Sequence, residues 1–125
     1  MTKYKYFKLS EFDSPDLKGS GENMKREFVL KLDEAREVAQ TPFRITSGFR
    51  TKEHHLDLGK RGYKTAKRSA HLEGYAADIA CTDSKTRFII IGSLLLVGFT
   101  RIGIGSTFIH VDSSPNKTPH RVWTY

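Results

Sequence analysis

Cysteine is nearly missing from this chain. Cys81 stands alone among 125 residues, which excludes an internal disulfide framework. Long apolar runs are missing too. The longest, Phe88 to Phe99, covers 12 residues and is interrupted by Gly92 and Ser93, whereas a membrane span needs about 20. The basic N-terminus, MTKYKYFKLSEFDSPD, has no apolar segment of the kind a secretory signal requires, so a chain without its own export signal is expected. Acidic residues are the minority. The 14 Asp and Glu face 21 Lys and Arg, for a formal charge of +7. Such a balance attracts polyanions, either nucleic acid or an anionic cell envelope, or serves solubility alone. Helix-turn-helix and paired-cysteine zinc patterns are both absent, and the aromatics are not spaced as a base-stacking platform. No nucleic-acid partner is expected.

What is present fits one soluble domain over residues 1–125, with 38% hydrophobic and 28% charged residues. Met24, Phe28, Leu32, Ala35 and Ala39 fall at helical spacing between Glu22 and Gln40, ahead of Pro42. Phe43 to Thr46 is a short β-type run, and His54 to Leu58 a short helix. Tyr75 to Cys81 reads as a strand with Ala76, Asp78 and Ala80 on one face and Ala77 and Ile79 on the other. A second helix spans Lys85 to Val97, capped by Asp83 or Ser84 and closed by Gly98. Its apolar residues point all round, which predicts deep burial, with a strand as the alternative. Arg101 to Ile104 and Phe108 to Asp112 form a hairpin around Gly105-Ser106-Thr107, and Val122 to Tyr125 adds an edge strand. The aromatic Tyr4 to Leu9 segment packs on the core. Helices and strands mix without βαβ regularity, so the class is α+β, a small antiparallel sheet with flanking helices. Lys60, Arg61, Lys64, Lys67 and Arg68 share a glycine-containing basic loop, either merely solvated or placed to steer an acidic substrate.

The residues that carry chemistry are few. His71 and Asp78 lie seven apart across a turn at Gly74, with Asp78 on a strand of small residues. His110 and Asp112 alternate on a strand and leave the same face. Two imidazoles and one carboxylate make a zinc set with an open fourth position, as catalytic sites have. Taken on spacing alone, surface or core histidines remain the commoner reading.

Ser69-Ala70-His71-Leu72-Glu73-Gly74-Tyr75-Ala76-Ala77-Asp78 resembles the S-x-H-x-x-G-x-A-x-D signature of the zinc D-Ala-D-Ala carboxypeptidase and murein endopeptidase family, the M15-type peptidases, whose fold is shared with hedgehog signalling domains. Ile45-Thr46-Ser47-Gly48-Phe49-Arg50-Thr51 is similar to the family's S-G-[YF]-R segment. Phe108-Ile109-His110-Val111-Asp112 is similar to its last ligand strand. The three blocks agree in order and spacing over roughly residues 5 to 125 and most resemble the short members carried by phages and prophages.

The resemblance implies Zn2+ held by His71, Asp78 and His110. It implies that Arg50 stabilises the oxyanion, that Ser69 hydrogen-bonds at the ligand turn, and that Gly74 permits the chain reversal. His54 and His55 fall where the family lines its cleft, which makes His55 a substrate-binding candidate. The family's proton acceptor stands three or two residues before the last histidine, but Thr107 and Phe108 occupy those positions here. Asp112 is then either the general base or the group that orients His110; Glu73 and Asp57 are the remaining acids weighed. Trp123 and Tyr125 either line a sugar-binding surface or close the core. The implied activity is hydrolysis of peptide bonds in peptidoglycan, by a monomer acting on the stem peptide after release from the cytoplasm or from a phage particle. A zinc-holding wall-binding module with little hydrolysis is the alternative. Which peptidoglycan bond is cut is left open.

Overall fold

The computed structural model describes residues 3–63 and 69–125. Its elements are α1 (Arg26–Ala39), β1 (Ile45–Ser47), α2 (Lys52–Lys60), α3 (Ala70–Glu73), β2 (Ala76–Ala80), α4 (Ser84–Leu96), β3 (Arg101–Ile104), β4 (Phe108–Asp112) and β5 (Arg121–Thr124). The strands form one sheet in the order β1-β2-β4-β3-β5. The class is α+β. One detail departs from the expected sheet: β5 runs parallel to β3, so the sheet is mixed rather than wholly antiparallel. The cause is the connection after β4. Residues 113–120 return the chain to the end where β3 begins, and Arg121 N–H bonds Thr100 C=O at 2.9 Å before the two strands run on together.

Alternation along the strands gives the sheet two unlike faces. Ala77 and Ile79 of β2, Ile109 and Val111 of β4 and Ile102 of β3 are fully buried on one of them. Phe28, Val29, Leu32 and Ala35 of α1 and Ile90 and Leu94 of α4 cover that face. The other face carries Asp78, His110 and Asp112. A one-residue slip would exchange the two sets, so burial of the apolar face also fixes the polar one.

Helix α4 corrects an expectation. Asp83 caps it, accepting Thr86 N–H at 2.9 Å, and Gly98 follows it at φ +100°. Yet only one stripe of it is buried: Phe88 is 80% exposed and Leu96 74%. With one helical layer on the sheet, α4 meets α1 and β4 on its inner side, and its outer side is exposed among the described residues. Helix α1 begins later than its apolar spacing suggested. The Asp13 carboxylate accepts Gly19 and Gly21 N–H and holds Ser20–Asn23 as a separate 3-10 turn. Lys60, at the end of α2, and Arg61, in the turn after it, belong to the basic stretch, while Lys64, Lys67 and Arg68 lie outside the described residues. No helix among the described residues is long and apolar enough to cross a membrane.

The N-terminal segment is tied down as its aromatics suggested. Phe7 is buried against Phe12, and Asp33 accepts the backbone N–H groups of Lys5 and Tyr6. Glu37 accepts from Lys5 Nζ at 2.5 Å and from the Tyr6 hydroxyl. Those two hydrogen bonds, Lys5 first, draw its carboxyl from 4.5 down to about 2. A depressed carboxyl stabilises the fold above its unfolded pKa and loses that contribution as pH falls through the folded value. The melting temperatures of the natural chain and Glu37→Gln should therefore differ at pH 6 and converge as pH approaches 2. A constant difference over that range would contradict the role assigned to Glu37.

Candidate metal centre

Three elements bring the ligand candidates together. Ser69 begins α3, its hydroxyl accepting His71 N–H at 3.2 Å. Gly74 ends α3 at φ +79°, where a Cβ would lie 2.4 Å from the Asn23 carbonyl oxygen. Only glycine fits that reversal, and it delivers the chain directly into β2. There Asp78 pairs in register with His110 of β4. His110 Nδ1 lies 2.9 Å and His71 Nε2 3.5 Å from the same oxygen, Asp78 Oδ1. One ligand atom from each residue falls within 4.8 Å of the others.

The far nitrogens decide what the near ones can do. His71 Nδ1 is 2.8 Å from the Gly48 carbonyl oxygen. A carbonyl only accepts, so Nδ1 carries the proton and Nε2 presents its lone pair. His110 Nε2 is 2.8 Å from Asp112 Oδ2, and Arg101 Nε donates to Asp112 Oδ1 at 2.8 Å. Burial pushes the His71 imidazole down, and the opposing pull of Asp78 is smaller. For His110 burial acts the same way, but hydrogen bonds to Asp112 and Asp78 outweigh it and raise the pKa. Asp78 would be raised by burial, but the two histidines hold its carboxyl far below the usual range. A proton on His110 satisfies both carboxylates yet leaves the His71 lone pair facing Asp78. A divalent cation satisfies all three groups at once. Two imidazole nitrogens and a carboxylate oxygen, with the outer nitrogens already anchored, fit zinc.

The triad lies on the wall of a cleft of about 930 Å³. Arg50 lines it, with Nη1 3.2 Å from His55 Nδ1 and Nη2 3.4 Å from Ser47 Oγ. The Nε of Arg50 is buried and has no hydrogen-bond partner among the described residues. His55 is itself buried and does not line the cleft; its place is behind Arg50, and His54 lines the cleft instead. Asp112 is 2% exposed with both oxygens engaged. Glu73 accepts from Ser114 and Asn116, each at 2.6 Å, and Asp57 pairs with Arg61 along α2. Neither lines the cleft. Among the described residues, its only carboxylates are Asp78 and Asp112.

Trp123 and Tyr125 line the cleft as well and stay out of the core. The Trp123 ring lies 5.6 Å from His110 with the Arg101 guanidinium 4.9 Å from it, and Tyr125 lies 5.0 Å from Phe108. This aromatic wall rests on glycines. A Cβ at Gly103 would meet Trp123 at 2.7 Å, and one at Gly105 would meet Phe108 at 2.2 Å. The sequence pointed to neither Arg101 nor the Gly48 carbonyl, and it left these rings between a binding surface and the core. Gly103 on β3 and Gly105 just beyond its end were the available signal for the rings, since glycines there mark close approach. Nothing local in the sequence marked the other two.

A family model described as Peptidase M15 matches residues 5–112. The match takes in His71, Asp78 and His110 and stops before β5. No curated protein matches the chain.

Proposed function

The chain belongs to the peptidase M15 family, and we propose from that premise that it is a zinc-dependent peptidase that hydrolyses peptide bonds of bacterial peptidoglycan. The convergence of His71 Nε2, Asp78 Oδ1 and His110 Nδ1 on the wall of a cleft carries the reading. Those residues hold the metal, which when bound supplies Lewis-acid polarisation and a lowered water pKa. Arg50 stands beside them on the cleft wall, braced by His55 and Ser47, and its guanidinium charge stabilises the substrate carbonyl oxygen as it gains negative charge. Ser69 and the Gly48 carbonyl set the position of His71, one through its backbone and the other through its ring. Asp112 fits orientation better than proton transfer, because His110 and Arg101 already take its two oxygens. Besides the ligand pair, His54 is the imidazole on the cleft wall among the described residues. Residues 1–125 act as one domain in this reading, since β5, beyond the matched stretch, completes the same sheet and cleft.

A second reading is favoured by one observation: no uncommitted carboxylate lines the cleft among the described residues. The chain would then grip the stem peptide in its zinc site without cutting it. Incubation with purified peptidoglycan separates the two. The peptidase reading expects soluble peptides, none after chelation, and recovery when zinc is restored. Protein that pellets with the wall and releases nothing, with or without zinc, is the binding module.

A further inference from the structure

Besides Arg50, the cleft holds two cations that no carboxylate among the described residues neutralises. Arg44 and Lys117 both line it, and neither forms an ion pair among the described residues. Arg101, by contrast, is matched by Asp112. Both cations stand on fixed backbone. Arg44 follows the buried Phe43, and its carbonyl accepts Ala80 N–H at 2.8 Å. Lys117 belongs to the 113–120 connection, which Glu73 clamps through Ser114 and Asn116 and Arg101 holds through the Thr118 carbonyl at 2.6 Å.

Their places in the sheet are opposite. Arg44 is joined to Ala80, which pairs with Phe108, one tier to one side of the Asp78–His110 pair. Lys117 precedes Thr118, which Arg101 ties to the Asp112 tier on the other side. Phe108 and Asp112 are four residues apart on one strand, about 13 Å at roughly 3.3 Å per residue. An extended peptide lying along the cleft has nearly the same rise. It would pass Arg44 and Lys117 about four residues apart, with the triad between them.

Resting on the peptidase reading above, we infer that Arg44 and Lys117 select a peptide carrying a carboxylate on each side of the bond at the triad. The substrate class is an acidic peptide bound by both flanks, and a neutral cross-bridge segment is disfavoured. Each cation acts on its own flank. The bonds they offer are partly exposed, so each is worth a factor of about five in affinity and weakens with salt.

The test uses the zinc-loaded chain and a stem pentapeptide, L-Ala-D-Glu-meso-diaminopimelate-D-Ala-D-Ala, with free carboxylates or with each carboxylate amidated in turn. Calorimetric Kd and, where cleavage occurs, KM are measured for the natural chain, Arg44→Gln, Lys117→Gln and the double variant. The natural chain should lose about five-fold on amidation of either of two carboxylates. Arg44→Gln should become indifferent to one of them, Lys117→Gln to the other, and the double variant to both. Melting temperature confirms that each variant is folded. Variants as sensitive to amidation as the natural chain, or no measurable binding of the free peptide, would overturn the inference. Selective binding without cleavage upholds it and counts against the peptidase reading. Cleavage without charge selectivity does the reverse.

Discussion

Replacing His110 by alanine should remove zinc binding and hydrolysis together. The imidazole joins the two carboxylates of the site, 2.9 Å from Asp78 and 2.8 Å from Asp112. Without it, zinc keeps at most two of the three donors. Losing a group that merely orients a ligand costs on the order of 10–100-fold in metal affinity, so losing the ligand itself costs more than 100-fold. Asp78 and Asp112 would then face each other with no positive group between them on that path. Removing one partner of a buried charged set costs about 3 kcal/mol. A lowered melting temperature in metal-free protein and a flat zinc titration are the expected pair of results. A His110→Ala chain that still binds one zinc with natural affinity would remove His110 from the ligand set.

Asp112 offers the second large effect, and two substitutions divide its possible roles. Alanine leaves the Arg101 guanidinium, only 14% exposed at its side chain, without its carboxylate partner. It should therefore destabilise the chain by about 3 kcal/mol and weaken zinc binding about 10–100-fold. Asparagine is different. Its Oδ1 can still accept the His110 Nε2 proton, although it can no longer hold or pass one at neutral pH. If Asp112 orients His110, Asp112→Asn keeps zinc affinity within about 10-fold and keeps most of kcat. If Asp112 is the general base, Asp112→Asn binds zinc normally and is as inactive as Asp112→Ala. The hydrogen bonds to both of its oxygens predict the first outcome.

Much of this site was legible in the sequence because its logic is local. A seven-residue interval containing Gly74, and an i, i+2 pair on a strand, each place side chains through backbone geometry alone. Strand alternation also separated Asp78 from Ile79 and so separated cleft from core. Where the sequence misled, the missing information was long-range. The apolar girth of α4 says that its residues dislike water, but the number of layers packed around it decides whether they escape water, and here there is one. The hairpin was visible at Gly105, whose N–H bonds Phe108 C=O at 2.9 Å. The parallel return of β5 was not, because it depends on where Glu73 and Arg101 anchor residues 113–120. His55 illustrates the same limit at the site. Adjacent positions on a helix face about 100° apart, so one of His54 and His55 lines the cleft and the other braces Arg50, and the pairing with Arg50 appears only in three dimensions.

The central claim is that His71, Asp78 and His110 form one zinc site, and native mass spectrometry of the folded chain tests it most directly. After zinc addition and desalting, the account predicts one zinc per natural chain and none on His110→Ala. A natural chain that retains no zinc, or a variant that retains as much as the natural chain, would contradict it.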